Sequence, residues 1–186
     1  QISREIHVGN VANDGVGQMH GIYMKSKKLS QWAHDIMQIK DPETYADTLR
    51  FNRLLDEVEQ YEDISIARIL FGLLSNKEDY GVKQGVVRVL SGYCVYKYYR
   101  ALIMDLPRML RECITKDWPQ SALGYWGRDI TEADMPEIYR AYKDSPPEER
   151  EVFLRAICEH DYFHENLWPS QFLNYLKKES KNDSGS

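Results

Sequence analysis

Long apolar runs are missing from this chain. Nothing in its 186 residues approaches the roughly 20 apolar positions that a bilayer-spanning helix needs, so no membrane span is expected. Cysteine is scarce: Cys94, Cys113 and Cys158 form an odd set without CxxC spacing. That set suits neither the disulfide framework of a small secreted scaffold nor a thiolate zinc site. All three lie in apolar segments with helical spacing, so they are expected to be buried free thiols of a cytoplasmic protein. Basic residues are outnumbered, with Lys+Arg at 24, Asp+Glu at 29 and a net charge of −5. General nucleic-acid binding needs a basic face that displaces counterions, and this balance argues against it. HExxH is absent, no serine sits in a nucleophile elbow, and Gly15-Val16-Gly17 is too short for a nucleotide fingerprint.

What is present is an ordinary globular composition, 42% apolar and 28% charged, too apolar for a disordered chain. The first residues carry Gly9, Gly15, Gly17 and Gly21 with Asn10, Asn13 and Asp14, and no apolar period. Residues 1–24 are therefore expected to form an extended or flexible arm, either a processed leader or native. Met19 or Met24 would open the compact domain, and 1–24 lacks the pattern of a signal peptide.

From there the helical period dominates. Leu29, Trp32, Ala33, Ile36 and Met37 share one face. Asp41-Pro42 is expected to open a second helix, with Asp41 as N-cap and Pro42 at the first position. Its apolar set is Tyr45, Leu49, Phe51, Leu54, Leu55 and Val58. A third helix, Ile64 to Leu74, is apolar around most of its circumference and is expected to lie centrally. Ser75-Asn76 is a stop signal before a fourth helix on Val82, Val86, Val89 and Tyr93. Leu102, Ile103 and Leu106 lead to Pro107, where the helix is expected to break or restart. Asp117-Trp118-Pro119 reads as a turn. Thr131-Glu132-Ala133-Asp134 resembles a capping box, and Ser145-Pro146-Pro147-Glu148 a stronger one. Trp168-Pro169-Ser170 opens a last helix, and 179–186 reads as a disordered tail. The predicted class is all-α: a single domain over 25–178, with about eight helices stacked as irregular HEAT-like hairpins or as a globular bundle.

Charge is unevenly spread. Positions 41–63 hold eight acids and two bases, net −6; 64–118 hold five acids and nine bases, net +4; 119–165 are again net −6, with eleven acids and five bases. The densest acidic stretch is Asp56, Glu57, Glu59, Glu62 and Asp63, with Tyr61 inside it. A solvated helix end explains such a run, helped by the dipole of the next helix acting on Glu62 and Asp63. A docking face for a basic partner explains it too, with Tyr61, and Trp126 or Tyr125 from the second acidic stretch, as aromatic anchors.

Catalytic residue types gather only at His160, Asp161 and His164. The two histidines are one helical turn apart, which is metal-ligand spacing, and His34-Asp35 offers a second His-Asp pair. A metal-dependent HD-type hydrolase would need both pairs. A polar helix end with His near the negative dipole pole accounts for the cluster without a metal, and that is the expectation here, because His pairs at this spacing are frequent by chance. Tyr93, Tyr96, Tyr98 and Tyr99 have only Lys97 and Arg100 for company, so core packing is expected of them, not base stacking.

The acidic run from Asp56 to Asp63, with the Leu-rich pair Ile64–Leu74 and Val82–Leu90, resembles the all-helical immunity proteins of bacterial contact-dependent growth inhibition and other polymorphic toxin systems. The likeness covers about residues 25 to 178. It implies a cytoplasmic, non-enzymatic toxin inhibitor without cofactors, which binds one cognate toxin domain, often a basic nuclease, and blocks it. Partner-binding residues are then expected at Asp56, Glu57, Glu59, Tyr61, Glu62 and Asp63. The rival from the residues alone is a helical-solenoid scaffold or adaptor that holds a peptide in a groove.

Overall fold

The computed structural model describes residues 24–74, 82–113, 117–127, 129–159 and 167–183. The fold is all-α, and the described residues contain no strand. In chain order the helices are α1 (Ser26–Gln38), α2 (Tyr45–Val58), α3 (Ile64–Gly72), α4 (Val82–Ser91), α5 (Val95–Glu112), α6 (Asp117–Leu123), α7 (Met135–Lys143), α8 (Pro147–Glu159) and α9 (Leu167–Asp183). Two 3-10 turns, Tyr125–Gly127 and Glu132–Asp134, lie between α6 and α7.

The centre is α5. It touches α3, α6, α7 and α8, while α2 packs on α1 and α4, and α9 on α7. Four helices meet α5 and the rest stack on those, nearly always one or two places along the chain, so the all-α fold is globular with neighbouring helices stacked about α5. The sequence explains why α5 takes this place. Tyr98, Tyr99, Ala101, Leu102, Ile103, Leu106 and Met109 are all buried, and they cover most of its circumference. The apolar α3 lies against it through Ile66, Ala67, Leu70 and Phe71.

Pro107 does not end the helix, contrary to expectation: α5 runs through it to Glu112. Proline removes one helical N–H donor, that for the carbonyl of Ile103. Burial of Leu106 and Met109 on either side outweighs that loss. Arg108 adds to this, donating to Asp105 at 2.7 Å, to Glu112 at 3.0 Å and to the Phe71 carbonyl near the end of α3 at 2.8 Å.

Other expected boundaries shift for local reasons. Helix α2 begins at Tyr45, capped by Thr44, whose hydroxyl oxygen accepts from the Asp47 N–H at 3.1 Å. Asp41 lies outside the helix, 3.6 Å from the ammonium of Lys83. Helix α4 ends at Ser91, so Tyr93 is in the connection to α5, buried there. Asp117-Trp118-Pro119 is the first turn of α6, since proline needs no donor there. The Asp134 carboxylate accepts from the N–H and the hydroxyl of Thr131, as the capping pattern predicted, and heads the turn into α7. Pro147 opens α8 as expected, but Ser145 does not cap it; its hydroxyl donates back to the Ala141 carbonyl at 2.7 Å. Helix α9 continues to Asp183, beyond the predicted domain end at 178. Residues 1–23, Ser75-Asn76, His160, Asp161 and His164 lie outside the described residues.

Tyrosine fills the interior, as expected. The hydroxyls of Tyr98 and Tyr99 donate to the carbonyls of Ala122 and Leu123 at 2.7 and 2.9 Å. Tyr125 reaches the Tyr93 carbonyl from the opposite side. Buried phenols that each find a carbonyl leave no orphan donor. This junction bends through two left-handed residues, Tyr125 (φ 51°) and Trp126 (φ 56°). Such a backbone costs about 1–2 kcal/mol per residue in bulky side chains. The burial of Tyr125 between Tyr98 and Tyr99, and the Trp118–Trp126 ring contact, hold it in place. Gly85 on α4 marks a close approach: a Cβ there would lie 2.7 Å from Leu55 Cδ1.

Candidate functional site

The acidic run occupies the end of α2, the link to α3 and the first cap of α3. Helix α2 buries Phe51, Leu54, Leu55 and Val58, which turns Asp56, Glu57 and Glu59 outward. Asp63 caps α3, accepting from the Ser65 N–H at 2.7 Å, so this carboxylate is committed to the helix end. Its own backbone carbonyl accepts from the Tyr93 hydroxyl at 3.2 Å.

Bases from the next stretch meet these acids. Arg88 on α4 donates to Asp56 at 2.8 Å and to Glu59 as well. Lys97 on α5 is 3.4 Å from Glu62. The Glu59 hydrogen bond is the main reason that the Arg88 guanidinium holds its proton more tightly than usual. Arg88, Asp56 and Glu59 are each about half exposed or more, so these pairs contribute only about 0–1 kcal/mol each. They orient the carboxylates more than they stabilise the fold. The carboxylate of Glu57, exposed on the same turn, has no ion pair among the described residues.

Of the expected aromatic anchors none stands free. Tyr61 is half-buried against the core, Tyr125 is fully buried, and Trp126 is half-buried against Trp118. Tyr61 is held there because a chain turning from α2 into α3 must cover the ends of both helices.

Cys94 and Cys113 flank α5, half-buried and buried. Burial pushes both thiols up, so neither is poised as a thiolate. Cys158 is exposed, which corrects the expectation of three buried thiols; it faces away from the side of α8 that buries Phe153, Ala156 and Ile157. His34 is exposed on α1, and Asp35 beside it accepts from Gln31 and lies 3.9 Å from Arg50. Among the described residues no group of three or more His, Cys, Asp or Glu side chains is arranged to hold a metal ion. Nor is any helix among them long and apolar enough to cross a membrane.

The partners of the acidic run had no local signal. Arg88 lies 29 and 32 positions from Glu59 and Asp56. The trace in the sequence is the charge of whole blocks: Lys83, Arg88 and Lys97 come from the net-positive stretch and meet acids of the net-negative stretch before it. No family model matches the chain, and neither curated proteins nor solved structures give a match.

Proposed function

We propose that this chain is a non-enzymatic inhibitor of the immunity-protein type, which docks its acidic face onto a basic toxin domain and occludes the toxin's substrate cleft. One observation carries the reading. Asp56, Glu57, Glu59, Glu62 and Asp63 follow one another from the end of α2 to the cap of α3, and their ion pairs among the described residues come from Arg88 and Lys97, so five carboxylates meet two paired cations and the run stays net negative even with Arg53 one turn back on α2. Packing like charges together costs folding energy through repulsion, and a cationic partner relieves it. Such a field also raises the encounter rate with a basic cleft by about 10- to 1000-fold at low salt. The Arg88 pairs already hold Asp56 and Glu59 in fixed positions, which lowers the ordering cost on binding.

The test takes the genes neighbouring this chain's gene and asks whether one encodes a domain that arrests growth when expressed alone. Co-expression is expected to restore growth. Stopped-flow association is expected to slow by about tenfold or more at low salt in a variant carrying Asp56→Asn, Glu57→Gln, Glu59→Gln, Glu62→Gln and Asp63→Asn, with a flatter salt dependence. Asparagine at 63 keeps the cap, so folding is preserved. An unchanged rate and salt slope would remove the acidic face from the mechanism.

A further inference from the structure

The outer face of α2 continues from the acidic turns toward the start of the helix, and its chemistry changes on the way. Tyr45, Leu49, Asn52, Asp56 and Glu59 follow one another at spacings of four and three, so they form one stripe about 21 Å long. All five are exposed. Tyr45 is 79% exposed and Leu49 41%, at one end; Asp56 and Glu59 are at the other. Neither Tyr45 nor Leu49 belongs to the buried side of α2, which Phe51, Leu54, Leu55 and Val58 form.

We infer that Tyr45 and Leu49 are the apolar anchors of the docking face, and that its occupant is a protein surface with an apolar hollow beside a cluster of Lys or Arg. This rests on the inhibitor reading above and replaces Tyr61 as the anchor. A single exposed apolar residue needs no explanation. An exposed tyrosine one turn from an exposed leucine, in line with an acidic cluster, has the composition of a binding centre with a charged rim. The same layout disfavours a second copy of this chain. With two α2 helices face to face and parallel, acids meet acids; antiparallel, each Tyr45–Leu49 end meets the other's Asp56 and Glu59. A cationic partner satisfies both ends at once.

The probe is an amphipathic helical peptide as long as α2, with leucine on one face and lysine flanking it; a copy with glutamine for lysine is the control. The full chain is titrated and followed by backbone amide shifts. Shifts are expected along 45–59, with affinity lowered about tenfold in the Tyr45→Ser/Leu49→Ser variant and lost with the glutamine peptide. Both positions are exposed, and the helical circular dichroism of the variant is expected to match that of the native chain. Shifts centred elsewhere, or unaltered affinity in the variant, overturn the inference. If neutralising Asp56, Glu57 and Glu59 weakens binding while Tyr45→Ser/Leu49→Ser does not, the anchors fall and the acidic reading stands. If only the apolar pair matters, the cationic partner falls. A concentration-dependent dimer abolished by Tyr45→Ser/Leu49→Ser makes a second copy the occupant and also overturns it.

Discussion

Tyr98→Ala is expected to lower the stability of the fold by about 3–5 kcal/mol, seen as a large drop in the urea midpoint at unchanged slope. No side chain is better placed to show what α5 holds together. The Tyr98 ring is fully buried and lies 5.3 Å from that of Phe71 on α3, 5.3 Å from Tyr99 and 4.2 Å from Tyr125. Its removal opens a cavity where α3, α5 and the turn after α6 meet. Tyr98→Phe separates the two contributions. The ring stays, and only the bond to the Ala122 carbonyl is lost, at a cost of about 1–3 kcal/mol for a buried acceptor left without its donor. If the phenylalanine variant matched the native protein, the carbonyl of Ala122 would have another donor, and the account of the tyrosines as joints between helices would be wrong.

The second large effect concerns a buried charge. Lys83 is 1% exposed, and its ammonium donates to the Lys40 carbonyl at 2.6 Å, lies 3.6 Å from Asp41 and sits 5.9 Å from the centre of the Phe51 ring. The turn after α1 is thereby tied to the first turn of α4. A buried cation depends on its counter-charge. Asp41→Ala is therefore expected to cost about 2–3 kcal/mol, below the value for a fully enclosed pair because the Asp41 side chain is a quarter exposed. Lys83→Met removes the charge but keeps the stem over Phe51, and is expected to cost less. The distinguishing result is the double variant. Asp41→Ala with Lys83→Met is expected to be more stable than Asp41→Ala alone, because the buried ammonium that lost the Asp41 carboxylate is gone. A double variant less stable than that single one would mean that Lys83 acts mainly by packing.

Much of the architecture was legible because it depends on local periodicity. Trp32 and Ile36, Phe51 to Val58, Ile66 to Phe71, and Phe153 to Ile157 all face the core, as their spacing required. Where the reading failed, a longer-range term won. Pro107 looked like a break because a proline is judged by its own turn; whether a helix survives one depends on what packs around it. Asp41-Pro42 looked like a helix start, yet Thr44 with Asp47 three residues later supplied the cap, and Asp41 was drawn to a lysine 42 positions away. The acidic face was visible as composition, but how far it is neutralised was not, because Arg88 and Lys97 arrive through the tertiary fold. The period that puts Leu54 and Leu55 in the core groups Tyr45 and Leu49 with them, yet both of these are exposed. An amphipathic stripe read from sequence has soft edges, and these two lie past the edge that α1 and α4 cover.

The tyrosines joining the helices have one further consequence, at the alkaline end of the pH scale. Burial pushes the Tyr93 and Tyr98 phenols well up, so the folded chain holds both protons where a free tyrosine gives its own away, near pH 10 or about that. The stabilisation from these groups is complete below that point and is lost as the pH climbs past it, because only the unfolded chain can then release the protons. Base should thus melt the bundle, with a late fraction of the 13 tyrosines turning to tyrosinate in step with the loss of helical circular dichroism. If all of them ionised reversibly while the helices persisted, the joints between α5 and its neighbours would have to be held by something other than these phenols.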